Sequence, residues 1–436
     1  MRRVLTAILL LMVMGLGEAF AQEFNFGVQL RERSEFDAKE FSLSGGDGGS
    51  NYLDVYHYLR TRFRADATVN EHVNVVVELQ DSRKFGTEGG TLNDGFHDGD
   101  EHSNAFDVRQ AFVHMRRINN TAVDAKVGRM VLSYANQRLL GAIDWNNFGQ
   151  SFDGGVLTFH MKNASLDIIG AAVDRNDNTI RHIRDEFLAG AWFTWNPMAD
   201  QTTVQVFYLY TNPMSMGMDS RMWLHTPGIY VSGETNGFDY AVDGAFQFGE
   251  FPNVKLQDGE STLGISAYMA GVRAGYTLPG NANFRIGAGV DILSGDDPAG
   301  EGEEDDSFGA FNTLFATNHK FYGHMDYFPG AIGDLGLMDI IVQLSAEPRE
   351  NFRVGADFHM FSIMVDPADF PGNEDTEIET NIGMELDLYT QFQVVDAVWS
   401  QVGVSVIDLA DRVNRPVLRG LNKTNKWAYI MLMVNV

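Results

Sequence analysis

The chain has 436 residues, a formal net charge of -27, 45 Gly, 31 Phe, 14 Tyr, 6 Trp and no Cys. The acidic balance argues against nucleic acid as a partner. The absence of cysteine is compatible with an oxidising compartment and decides little.

Met1-Arg2-Arg3 is a charged opening, Val4 to Leu16 is apolar, and Glu18-Ala19-Phe20-Ala21-Gln22 offers a small-x-small cleavage site after Ala21. Residues 1–21 therefore read as a secretory signal peptide and 22–436 as one domain. The apolar stretch is too short for a membrane anchor, and no later segment approaches the ~20 apolar residues of a spanning helix. Export, strand patterning and no helical span predict an all-β, closed antiparallel barrel in a bacterial outer membrane.

Phe24 to Phe36 alternates Phe24, Phe26, Val28 and Leu30 with Asn25, Gly27, Gln29 and Arg31. Leu53 to Val69 carries Leu59, Phe63, Ala65, Ala67 and Val69 on one face. Tyr56, Tyr58, Arg60, Arg62, Arg64 and Asp66 lie on the other. Period two with one apolar face is the pattern of a strand against lipid. Tight turns are expected at Asn70-Glu71-His72, Asn119-Asn120, Lys162-Asn163-Ala164, Asn196-Pro197, Pro279-Gly280-Asn281 and Glu347-Pro348-Arg349. Between them lie longer polar connections, among them Leu132–Phe152, Pro252–Thr262 and Gly295–Gly336. Short turns belong at the periplasmic rim and long loops outside, and the barrel template gives about 18 strands. The patterning is least regular at Met222–Val231, which Pro227 interrupts, and at the glycine-rich Leu263–Tyr276.

Two segments resemble the alginate-export family of outer-membrane barrels. The first is VGRMVLSYANQRLLGAIDWNNFGQSFDG, Val127 to Gly154. The second is LSGDDPAGEGEEDDSFGAFNTLFATNHKFYGHMDYF, Leu293 to Phe328. The resemblance implies an 18-stranded barrel that passes an anionic polyuronate through an arginine-lined pore. The chain ends on Val436 where such barrels usually end on an aromatic residue.

Arginine is the chemistry of interest. Arg60, Arg62 and Arg64 oppose an apolar face, so parity sends them into the lumen; at mid-membrane an arginine facing lipid costs roughly 2–4 kcal/mol. Arg31, Arg285 and Arg353 follow by the same rule, and Arg109 and Arg273 sit on less regular strands. Arg129 and Arg138 come from the first family-like segment. Guanidinium forks match carboxylates, and a ladder of them lowers the barrier for an anion. The alternative is a wall-stiffening network with Asp66, Glu78, Asp239, Asp243, Asp291, Asp357, Glu385 and Asp387.

The connection Gly295–Gly336 divides in two. Its acidic part, Asp296 to Asp306, reads as a solvated outer loop, with Ca²⁺ binding by Asp296, Asp297, Glu303 and Asp305 as the sharper reading. Phe308 to Phe328 is too aromatic for a free loop and should fold against the barrel or into its mouth. Asn312, His319, Lys320 and Tyr322 would then line a constriction. No catalytic signature such as His-Glu-x-x-His or Gly-x-Ser-x-Gly is present. His97 and His102 sit in an acid-rich loop.

The sequence thus predicts a channel rather than an enzyme, a monomer in outer-membrane lipid that needs no cofactor. Its permeant would be an anionic polysaccharide or a smaller anionic solute, with a periplasmic export or uptake partner. A general or cation-tolerant porin governed by acidic loops is the second reading. A plugged structural or adhesin barrel is the third.

Overall fold

The computed structural model describes residues 23–38, 53–85, 105–173, 186–198, 201–213, 222–256, 259–297, 307–365, 380–410 and 424–436. The signal segment, His97, His102, Glu303 and Asp305 lie outside the described residues.

Nineteen strands are described: β1 (Glu23–Ala38), β2 (Asp54–Asn70), β3 (Val73–Phe85), β4 (Ala105–Met115), β5 (Val123–Met130), β6 (Phe152–His160), β7 (Ala164–Val173), β8 (Glu186–Met198), β9 (Thr202–Thr211), β10 (Trp223–Thr235), β11 (Phe238–Leu256), β12 (Gly259–Thr277), β13 (Arg285–Leu293), β14 (Ser307–Phe308), β15 (Leu337–Arg349), β16 (Phe352–Ser362), β17 (Asn381–Val395), β18 (Val398–Leu409) and β19 (Thr424–Asn435). The two-residue β14 lies parallel to β12 and outside the circuit. The other strands pair antiparallel with their chain neighbours, β13 with β15 across the long connection. β19 closes on β1, from Gln29↔Asn435 to Ala38↔Lys426. The result is a closed 18-stranded barrel. Closure leaves no edge, which is what lets strands cross lipid. Among the described residues no helix is long and apolar enough to span a membrane.

The faces sort by chemistry. Phe63, Val77, Leu157, Val206, Val242, Val272, Ile286, Leu386 and Ile430 are exposed on the outer surface, where lipid replaces water. Exposed aromatics form two belts: Trp195, Phe238, Tyr276 and Phe284 beside the short turns, Phe106, Phe187, Trp223 and Phe248 toward the other rim. Aromatic rings with one polar edge suit the headgroup region.

Two boundaries differ from the sequence reading. Pro252–Thr262 is not a long loop. After a bulge between Phe251 and Val254, β11 and β12 stay paired to Leu256↔Gly259. The stretch is polar and lacks the alternation of a lipid-facing strand, so the sequence pattern hid it. Pro227 lies inside β10, whose ladder to β11 omits Thr226 and Pro227 without changing register.

The larger difference is inside the barrel. The connection read as an outer loop, Leu132–Phe152, instead turns into the lumen between β5 and β6, and so do residues 308–328. The two segments pair with each other. Gly141 N–H donates to Phe315 O and Phe315 N–H to Leu139 O, both at 2.9 Å, and Thr317 N–H donates to Gln137 O at 3.0 Å. Leu139, Leu140, Phe315, Phe321 and Met325 pack on inward apolar wall residues such as Leu188, Trp192, Leu209 and Phe361. The barrel thus holds a hydrophobic core in its outer half.

Candidate functional site

Irregular backbone inside a barrel brings unpaired N–H and C=O groups that require partners. The basic wall supplies donors. Arg31 Nη1 donates to Asp144 O at 2.5 Å, and Arg60 Nη1 to the same oxygen at 3.0 Å and to Asn146 O at 3.2 Å. Arg109 Nη2 donates to Ala142 O at 3.0 Å. Arg33 Nη1 donates to Trp145 O at 2.5 Å, and its guanidinium lies 4.1 Å from the centre of the Trp145 ring. Gln80 and Ser82 donate to Phe148 O and Asn147 O. Gly149 sits at φ +72 with its Cα beside the Arg109 guanidinium, where any Cβ would come within 2.7 Å of Nη2. Glycine takes this conformation without a Cβ to press on the guanidinium.

One side chain of the loop enters this group. Asp144 Oδ1 lies 2.9 Å from Arg62 Nη2, 3.5 Å from Arg109 Nη2 and 3.7 Å from Arg60 Nη1. Burial alone would raise the Asp144 carboxyl, but Arg62, Arg60 and Arg109 outweigh it and hold it below the usual carboxylate range. The five guanidinium groups of Arg31, Arg33, Arg60, Arg62 and Arg109 meet the carboxylates of Glu35, Glu78 and Asp144, which leaves a surplus of positive charge.

Strands β15, β16 and β17, which reach β1 through β18 and β19, supply acceptors. Met325 N–H donates to Glu385 Oε1 at 2.9 Å and His324 N–H to Asp387 Oδ2 at 3.3 Å. His359 sits between Asp339, at 2.8 Å, and Asp387, at 3.7 Å. Burial lowers the pKa of His324, against the pull of Asp387. Gly323, at φ +82, lets the second loop seat on the Glu385 carboxylate, 2.7 Å from where a Cβ would stand. Trp145 ties the loops together, stacked on His319 at 3.9 Å between ring centres.

The sequence-predicted residues divide accordingly. Arg60, Arg62 and Arg109 meet at the first loop. Arg64 lies one step toward the short-turn rim, bonded to Asp66 and Glu78 and partly open to the lumen. Arg285 forks onto Asp239 at 2.6 and 2.8 Å, and the exposed Arg353 reaches Ser345 at 3.5 Å. Both line the short-turn vestibule, where two adjoining cavities of ≈ 730 and ≈ 630 Å³ share Glu234 and Arg285. Arg138 does not face open lumen: it is buried between Asp243 and Asp291, with Nη1 donating to Tyr322 Oη at 3.0 Å.

Arg129 requires a correction. It shares a face with the lipid-side Val127 and pairs with Asp153 at 2.7 Å, opposite Met130 and Phe152, which are buried inside. It therefore lies on the outside of the wall. Near the rim an outward ion pair meets water and headgroups rather than hydrocarbon, so it is tolerated.

In the second loop, Asn312 exchanges backbone hydrogen bonds with the Gln247 amide, and His319 pairs with Asp326. Lys320 is exposed, whereas Tyr322 is buried beneath Arg138 with its hydroxyl pKa pushed up to about 12 by burial. Asp296 Oδ1 accepts from Gly309 N–H at 2.7 Å.

Arg33, Asp144 and Trp145 were missed by the sequence reading. Parity with Arg31 was the available signal for Arg33. For the other two it was the apolar content of Leu139-Leu140-Gly141-Ala142-Ile143 and Trp145, too high for a free outer loop.

A closed lipid-faced barrel with a polar, loop-narrowed lumen is a porin-like transport protein of the bacterial outer membrane. This chain belongs to the alginate export family, whose model matches residues 22–417. No curated protein matches the sequence. Similar folds occur in OpdK of Pseudomonas aeruginosa, solved with vanillate (10% identity, 96% of this chain and 99% of that one, TM-score 0.62). OccK2 (OpdF) of the same organism, in complex with glucuronate, has 9% identity over 96% and 99% of the chains and a TM-score of 0.57. OccAB1 of Acinetobacter baumannii has 14% identity over 96% and 97%, with a TM-score of 0.59.

Proposed function

We propose that the barrel passes an anionic solute, a uronate-bearing saccharide or a smaller carboxylate, along its basic wall. The observation that carries this reading is the convergence of Arg60, Arg62 and Arg109 on one carboxylate oxygen where the loops narrow the lumen. A permeant carboxylate presents the same group, and buried guanidinium donors bind it more strongly than exposed ones. Arg64 continues the basic track toward the short-turn rim, and Arg285 and Arg353, on β13 and β16, add guanidinium groups at the vestibule. Vanillate and glucuronate, named with two of the similar folds, are both carboxylates. Membership of the alginate export family supports a polyuronate as the larger candidate.

Asp339, Asp357, Glu385 and Asp387 on β15, β16 and β17 favour a second reading, a cation-tolerant porin. The reversal potential of single channels in a potassium chloride gradient separates the two. The anion reading expects a potential on the anion side that moves toward the cation side in an Arg62→Gln, Arg64→Gln double variant. A wild-type channel that prefers potassium overturns it.

A further inference from the structure

We propose that Asp144 is a resident counter-ion. Between passages its carboxylate fills the place among Arg60, Arg62 and Arg109 that a permeant carboxylate takes in transit, and so sets how tightly the permeant is held. The inference rests on the anion reading above and adds the residue that tunes it.

Three observations carry it. First, the exposed member of the group is the acid. The Arg60 and Arg109 side chains are 3% exposed and Arg62 10%, whereas Asp144 is 56% exposed. A solute in the lumen therefore meets the arginines where Asp144 stands. Second, the loop does not depend on that carboxylate. The main-chain oxygens of Ala142, Asp144, Trp145 and Asn146 are held by Arg109, Arg31, Arg60 and Arg33, and Gly141 is bonded to Phe315. The side chain can rotate away while the backbone stays docked. Third, the arginines keep unused capacity: Nε of Arg31, Arg60 and Arg109 is buried without an acceptor among the described residues.

Exchange of one carboxylate for another is close to balanced. The buried guanidinium groups are never left bare, and the arriving anion is never held without a competitor. Conduction asks for this balance, binding strong enough to admit the solute and weak enough to release it.

The test is block of single channels by sodium glucuronate in planar bilayers, comparing wild type with Asp144→Asn and with Asp144→Ser. Removing the resident charge adds one positive charge to the site and deletes the competitor. The half-blocking concentration should fall about tenfold, with longer blocked dwell times. Block by the neutral sugar glucose should not change. Unchanged or weaker glucuronate block in both variants overturns the proposal. A severalfold higher conductance with loss of block also overturns it, because the carboxylate would then be a loop anchor. Failure of the anion reading shows in the wild type alone, as a potassium-side reversal potential, and the counter-ion proposal falls with it.

Discussion

Arg138 leaves the first infolded loop and ends between Asp243 and Asp291, its guanidinium over the Phe321 ring at 3.9 Å. Burial would lower its pKa, but Tyr322, Asp291 and Asp243 hold it above the ordinary arginine value. Such a group is a strut. Replacing it with Met leaves the buried Asp243 carboxylate without a cation among the described residues and Asp291 with Arg273 alone, and breaking a buried pair from one side costs roughly 3–5 kcal/mol. Arg138→Met should therefore lower the unfolding midpoint of the detergent-solubilised barrel in guanidinium chloride. A midpoint equal to wild type would mean that Arg273 and Asn136 hold the two acids without it. Arg64, whose side chain is 39% exposed, is the contrasting case, and its loss should change current more than stability.

At the scale of elements, the two infolded loops are held by different strands and by opposite chemistry. Guanidinium groups on β1, β2 and β4 take the carbonyls of the first, and carboxylates on β17 take the N–H groups of the second. The docking is local, so one loop can be released alone. Gly323→Val places a β-branched side chain at φ +82, a backbone conformation it rarely adopts, and pushes it against the Glu385 carboxylate. The second loop should lift, and single-channel conductance should rise while the barrel still folds. Unchanged conductance would show that residues 308–328 do not narrow the path.

For the whole molecule, register and closure decide which chemistry meets water. The β2 ladder to β3 pairs Arg62 with Gln80 and Phe63 with Leu79, so a slip of one residue would turn every arginine toward lipid. Single cysteines at 60, 62 and 64 should react with a water-soluble thiol reagent, and cysteines at 59, 61 and 63 should not. The side-chain exposures of Arg64, Arg62 and Arg60 are 39%, 10% and 3%, so the rates should fall in that order. Equal rates at 60 and 64 would mean the first loop does not cover the wall.

Strand patterning and alternating short and long connections along the chain gave the barrel and its strand number, and alternation along β1 and β2 gave the inward direction of Arg31, Arg60, Arg62 and Arg64, because lipid on one face enforces a period of two residue by residue. The aromatic content of Phe308–Phe328 was likewise enough to place that segment against the barrel. The partners of the arginines were beyond the sequence. Asp144 lies 82 residues from Arg62, and Arg138 lies 105 and 153 from Asp243 and Asp291. No local pattern encodes contacts at that separation. Arg129 shows the same limit in reverse: its motif suggested the pore, and the register with Asp153 put it outside. Tertiary structure alone decided that the basic wall binds a loop as well as facing a lumen. The backbone groups of an infolded segment need donors and acceptors wherever the closed sheet brings them.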